Sequence, residues 1–180
     1  MSIRQSILYI DLDGVLADLE KKSKALFGDD WKKEMEKPNW GDFQLHPRLF
    51  LDLDMMPDAW MLLNFAFDLR PVVVPKVLTA LPKRGHFEFA AADKREWVTK
   101  TIGHTLPVLF GPYAEDKQYH CQPGDILIDD NELNVEQWRN RGGDAVLHTS
   151  AKSSIDETLQ FLLERYPVFN VSQKWSKYIL

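Results

Sequence analysis

Two short aliphatic runs, far apart in the chain, end in the same way. Residues 7–10, Ile-Leu-Tyr-Ile, run into Asp11-Leu12-Asp13-Gly14, and residues 126–128, Ile-Leu-Ile, run into Asp129-Asp130. Short apolar runs rich in β-branched residues are the pattern of strands buried on both faces in a parallel sheet. Acidic residues at the end of such a strand lie at its carboxyl edge, where open α/β sheets bind ligands. Side chains alternate along a strand, so Asp11 and Asp13 are expected to project to one side. Two carboxylates in one place repel unless one is protonated or a cation lies between them. A hard divalent ion with oxygen ligands, most simply Mg²⁺, answers that need. An Asp-Gly turn at the end of a strand accounts for the first run equally well when that run is taken alone.

The remainder alternates strand and helix. The spacing predicts helices over 16–27, from Pro57 to about Arg70, over 90–102, over 132–141, and over 155–166 behind Ser153 or Ser154 as N-cap. Further strands are expected at 76–80, ending near Thr79, at 107–110 and at 145–147. This order implies right-handed βαβ crossovers and a Rossmann-like parallel sheet with helices on both faces. Residues 29–53 differ, mixing charges with Trp31, Trp40, Phe43 and Phe50 around Pro38, Gly41 and Pro47, and read as short helices and loops. Those aromatics form either a local mini-core or faces for stacking a flat ligand. Residues 1–18 and 71–180 are therefore expected to build the α/β core, and 19–70 a small helical cap inserted after the first strand. The tail from 167 to 180, with Trp175, Tyr178, Ile179 and Leu180, is expected to pack.

A chain of 180 residues has the length of one domain with an insertion, and its net charge of −5 argues against a general nucleic-acid or anionic-membrane surface. Cys121 is the single cysteine, so no intrachain disulfide forms and a cytoplasmic location is the default. No apolar run approaches the roughly 20 residues of a membrane span. His120 and Cys121 lack a second pair at zinc spacing. Lys83, Arg84 and His86 form either a phosphate-steering group or a solvated turn.

Four ordered features now stand together: DLDGVLAD, a strand ending in Thr79, Lys117 after Asp116, and ILIDD. In this order and context they resemble the four motifs of the haloacid dehalogenase-like (HAD) hydrolases. Within that superfamily the chain is most similar to the small 5'(3')-deoxyribonucleotidases, through DGVLADLE, Met56-Pro57-Asp58-Ala59, Lys94-Arg95-Glu96-Trp97-Val98 and DK before DILIDD. The resemblance spans roughly residues 6–150 and is weakest in the cap.

It implies a Mg²⁺-dependent phosphomonoesterase with Asp11 as nucleophile and Asp13 as acid and base. Asp11, Asp13 through its backbone carbonyl, and Asp130 would hold the metal, with Asp129 orienting Lys117 or a metal-bound water. Thr79, Ala80 and Lys117 would hold the phosphoryl group. The implied substrate is a small phosphorylated compound, a nucleoside monophosphate first; another phosphoester, a nucleic-acid terminal phosphate and a silent phospholigand-binding module are the alternatives. A homodimer is left open. Two positions depart from the nucleotidase pattern: Leu19 stands in place of a phenylalanine of the base pocket, and Ala80 in place of a serine. Leu19, Trp40 and Phe43 are the candidate substrate-pocket residues.

Overall fold

The structure is a computed structural model and describes residues 4–83, 87–165 and 178. Its centre is a five-stranded parallel sheet of order β3-β2-β1-β4-β5. The strands are β1 (Ser6–Ile10), β2 (Val73–Ala80), β3 (Val108–Gly111), β4 (Ile126–Asp129) and β5 (Asp144–Leu147). Alternation along the strands decides which helices they meet. Leu8, Ile10, Val77, Ile126 and Ile128 join one buried cluster, while Tyr9, Leu78, Leu127 and Ala145 join another with Val135 and Trp138. Helix α5 (Glu132–Asn140) thus covers one face. Helices α3 (Ala59–Asp68), α4 (Ala90–Thr101) and α6 (Ala151–Arg165) contribute to the other.

Three element starts differ from the sequence reading by three or four residues, each for a local reason. The helix expected from residue 16 starts later, as α1 (Leu19–Phe27), with Asp18 accepting a hydrogen bond from the Lys21 amide. Leu16 is instead fully buried in a tight loop, where the amides of Leu16 and Ala17 both donate to the Leu12 carbonyl at 2.8 Å. Helix α6 starts one turn before the expected residue 155. Ser150 Oγ caps the Ser153 amide and the Asp58 carboxylate accepts from the Ala151 amide, whereas Ser154 is buried against His148. Strand β2 begins three residues earlier than expected, because the residues from Val73 onward pair with β1. The loop after β3 contains a 3-10 helix, Ala114–His120.

Residues 28–58 carry a 3-10 turn (Gly28–Asp30), the short helix α2 (Trp31–Glu36) and a 3-10 helix (Pro38–Leu45). Trp31, Phe43 and Phe50 belong to the same buried cluster as β1. Of the tail expected to pack, Tyr178 lies edge-on to Phe65 at 5.3 Å between ring centres; Trp175, Ile179 and Leu180 lie outside the described residues, as do Arg84 and His86. No described helix is long and apolar enough to cross a membrane.

Candidate active site

Register brings the strand ends together. Ile10 pairs with both Val77 and Ile128, so Asp11, Leu78 and Asp129 stand level at the carboxyl edge of the sheet, with Thr79 one residue further. Strand β1 has β2 on one side and β4 on the other, which opens a crevice at this edge. The chain leaves β1 through Gly14 at φ 81°, a left-handed conformation that suits glycine. A side chain there would collide with the carboxylate of Asp130, so glycine also makes room for the second acidic strand end. Gly111 does the same for the lysine segment, since a Cβ at 111 would lie 2.7 Å from the Lys117 amide nitrogen.

Lys117 is buried, and its ammonium lies 2.7 Å from Asp11 Oδ2 and 2.7 Å from Asp129 Oδ2. Burial pushes its pKa down, but the charges of Asp11 and Asp129 outweigh burial and hold it above the usual lysine range. Asp129 is saturated: Oδ2 takes Lys117, while Oδ1 accepts from the Asn131 amide at 2.9 Å and from Asn134 Nδ2 at 3.0 Å. Asp11 accepts from the Leu12 amide at 2.7 Å through its other oxygen. Even so, desolvation raises its pKa to about 8 against the lowering effect of Lys117, and the charges of Asp129, Asp130 and Asp13 add to the rise. Asp130 is open to solvent as a residue, yet its carboxyl is pushed up to about 6, first by desolvation and then by Asp129. Asp11, Asp129 and Asp130 offer oxygens within 4.8 Å of one another, the only such group of metal-ligating side chains among the described residues.

Asp13 does not join that acidic group through its side chain. Its Oδ2 accepts from Lys94 of α4, and its Oδ1 has no hydrogen-bond partner among the described residues. Lys94 also donates to Thr79 Oγ1 at 3.0 Å and to the Ala80 carbonyl at 2.8 Å. An ammonium has three N–H donors, so Lys94 has none to spare. Its role was not read from the sequence, although a signal exists. Ala90, Asp93, Lys94, Trp97 and Val98 occupy the i, i+3, i+4, i+7 and i+8 positions of a buried helix face, and all five are buried. Two charged residues inside such a stripe mark a site rather than a surface.

The crevice has a volume of about 480 Å³ and takes in Asp11, Asp13, Ala80, Lys117, Asp130 and Asn134. Leu19, Trp31, Met35 and Trp40 line it on the side of the insertion. Phe43 is a correction: it is fully buried between Phe27 and Trp40, at ring separations of 4.3 and 5.7 Å, and does not reach the crevice. The mini-core takes Phe43 because a phenyl ring with no polar atom gains most from complete burial. Trp31 lines the crevice instead. Lys83 is paired with Glu115. His120 contacts the Phe110 carbonyl at 3.0 Å and Cys121 the Trp138 carbonyl at 3.7 Å. A larger cavity, about 620 Å³, lies between α3 and α6 and contains none of the strand-end acids.

No family model matches the chain, and no curated protein matches it. Solved structures do. A dehalogenase aligns at 10% identity with a TM-score of 0.53, over 81% of this chain and 85% of that one. A hydrolase from Streptococcus pneumoniae TIGR4 aligns at 17% identity and TM-score 0.50, over 90% and 100%. The L-2-haloacid dehalogenase from Xanthobacter autotrophicus, solved with chloropropionic acid covalently bound, aligns at 13% identity and TM-score 0.50, over 96% and 88%. At these identities the likeness is one of fold, that of the HAD-like α/β core.

Proposed function

We propose that the protein is a Mg²⁺-dependent phosphomonoesterase acting through an aspartyl-phosphate, with nucleoside monophosphates as its first substrate class. The observation that carries this reading is Asp13, a second carboxylate lining the crevice, with one oxygen anchored by Lys94 and the other buried without a partner among the described residues. Displacing a halide requires no proton, so a haloacid dehalogenase has no use for such a group. Expelling an alkoxide from phosphorus requires one.

The acidic cluster fits a divalent cation. Asp129 is saturated by other donors, which leaves Asp11 and Asp130 as side-chain ligands, and the raised pKa of both marks negative charge short of compensation. Mg²⁺ takes one or two carboxylates and keeps its waters, and when bound it neutralises phosphate charge and orients the phosphoryl group for in-line attack.

Asp11 forms the new oxygen–phosphorus bond as the ester bond breaks. The electron pair of that bond goes to the leaving oxygen, and Asp13 supplies its proton. Asp13 then takes a proton from the water that attacks the aspartyl-phosphate, which restores Asp11 and releases phosphate. Lys117 offsets the charge that spreads over the phosphoryl oxygens. Residues 19–70 act in this reading as a small cap, and Leu19, Trp31, Met35 and Trp40 face the leaving group. A crevice of about 480 Å³ is far larger than a phosphoryl group needs and falls in the range of drug-sized ligands, roughly 300 to 1,000 Å³. That size favours a nucleoside over a two- or three-carbon leaving group. The test is phosphate release from a panel of deoxynucleotides, ribonucleotides, sugar phosphates and 5'-phosphorylated oligonucleotides, with Mg²⁺ and with EDTA. Metal-independent release, or none from any member, overturns the reading.

A further inference from the structure

Lys94 fixes one oxygen of Asp13, so whatever fixes Lys94 sets where the proton of Asp13 is delivered. Thr79 and Ala80 of β2 take its ammonium directly, and the helix that carries it is held by residues outside the α/β core. Arg48 Nε and Nη2 both reach Asp93 Oδ1 at 2.8 Å; the Phe50 ring centre lies 4.6 Å from the Lys94 ammonium; and Trp97 Nε1 donates to the Leu53 carbonyl at 2.7 Å. Segment 48–53 therefore meets α4 at 93, 94 and 97, the buried stripe that carries Lys94. The chain just beyond this segment is hydrogen-bonded to the loop bearing Asp13. The Asp18 amide donates to the Asp54 carbonyl at 2.8 Å, and the Met56 amide to the Leu16 carbonyl at 2.9 Å. Asp13 is thus approached by one stretch of chain along two routes, through its own loop and through Lys94.

We infer that Arg48 and Phe50 are positioning residues for proton transfer, holding α4 so that Lys94 sets Asp13 against Thr79. The inference rests on the reading of Asp13 as the proton donor. Stability alone does not account for the Arg48–Asp93 contact. Asp93 is fully buried with Oδ2 unpartnered among the described residues, while the Arg48 side chain is 47% exposed. Burying a half-satisfied carboxylate against an exposed partner is a poor source of folding energy. Its placement one residue before Lys94 gives it a use.

The experiment is the Mg²⁺-loaded enzyme turning over phenyl phosphates of graded leaving-group acidity, for wild type, Arg48→Met, Phe50→Leu and Asp13→Asn, with thermal melting to establish folding. A nitrophenolate leaves without a proton; an unsubstituted phenolate needs one more. We expect Arg48→Met and Phe50→Leu to lower kcat about tenfold on phenyl phosphate and under about twofold on the nitrophenyl ester. This is the direction given by a sub-ångström displacement of a group whose placement within 1 Å is worth about 10²-fold. KM stays unchanged. Arg48→Lys, which keeps the charge but loses the two-nitrogen contact, falls between them and serves if Arg48→Met does not fold. Equal losses across the series, or none, overturn the inference. Asp13→Asn separates the two levels. If it leaves the wild-type leaving-group dependence intact, Asp13 is not the donor and both readings fall. If it steepens the dependence while Arg48→Met and Phe50→Leu do not, only the positioning role falls.

Discussion

Strands β1 and β4 carry the same message in sequence, an aliphatic run closed by two acids, yet their ends are built for different work. At the end of β4, Asp129 is fully buried and spends both oxygens on Lys117, the Asn131 amide and Asn134. After β1, Asp11 shares that same lysine but remains short of compensation, and Asp13 keeps one oxygen unpartnered. The β4 pair thus has one carboxylate fully held and the other, Asp130, open to solvent, whereas neither carboxylate after β1 is fully satisfied. Carboxylates that are already satisfied orient their neighbours, and those that are not are the ones able to take a metal or a proton.

Breaking the comparison at β1 has the largest effect. Asp11→Asn is expected to lower phosphate release by at least about 10⁴-fold, as loss of a nucleophile does, while circular dichroism shows a native fold. Full retained turnover removes Asp11 from the chemistry. At β4 the cost moves from catalysis to folding. Asp129→Asn leaves Lys117 with a single carboxylate and is expected to destabilise by about 3 kcal/mol in denaturant titration, at the low end for a broken buried pair. Asp130→Asn is expected to leave stability nearly unchanged and to weaken Mg²⁺ binding measured by calorimetry. Equal effects of the two substitutions erase the distinction drawn here.

The comparison also has a pH signature. The folded protein holds the Asp11 proton up to about 8, whereas an unfolded chain releases it near 4. The contribution of Asp11 to stability is therefore full below about 4 and is lost as pH rises toward 8. Asp130 adds the same trend up to about 6. Saturating Mg²⁺ binds the ionised form and cancels the loss, so its stabilising effect in thermal melts grows from pH 5 to pH 8. A Mg²⁺ shift independent of pH contradicts this. The smallest effect is expected at the aromatic side of the crevice: Trp40→Ala raises KM for nucleotides by about tenfold, within the roughly 1 to 3 kcal/mol of a stacking contact, with kcat little changed. Leu19→Phe is the sharpening variant, and a lower KM for nucleotides alone marks residue 19 as a base contact.

How far the sequence could be read follows from the range of each interaction. The sheet, its parallel sense and the strand-end position of Asp11, Thr79 and Asp129 were legible because short aliphatic runs, helical spacing and the order in which they alternate are all written locally in the chain. Lys117 was legible from its place in an ordered set of motifs. The grip of Lys94 on Asp13 was not, because the two residues are 81 positions apart and only the packing of α4 beside β1 and β2 joins them. The charges at 93 and 94 in a buried helix stripe were the available clue. Leu16 was misplaced onto a helix because an apolar residue folded into a buried loop has the same spacing as one on a helix face.

Trp31 and Phe43 show the same limit from the other side. Both are aromatic residues of one short segment, and the sequence by itself pointed to Phe43 rather than Trp31 as a pocket residue. Only the tertiary structure decided that Phe43 disappears into the core while Trp31 and Trp40 line the crevice. Composition and periodicity establish that a ring will be buried. Which surface buries it depends on contacts between distant segments, and those exist only once the chain has closed.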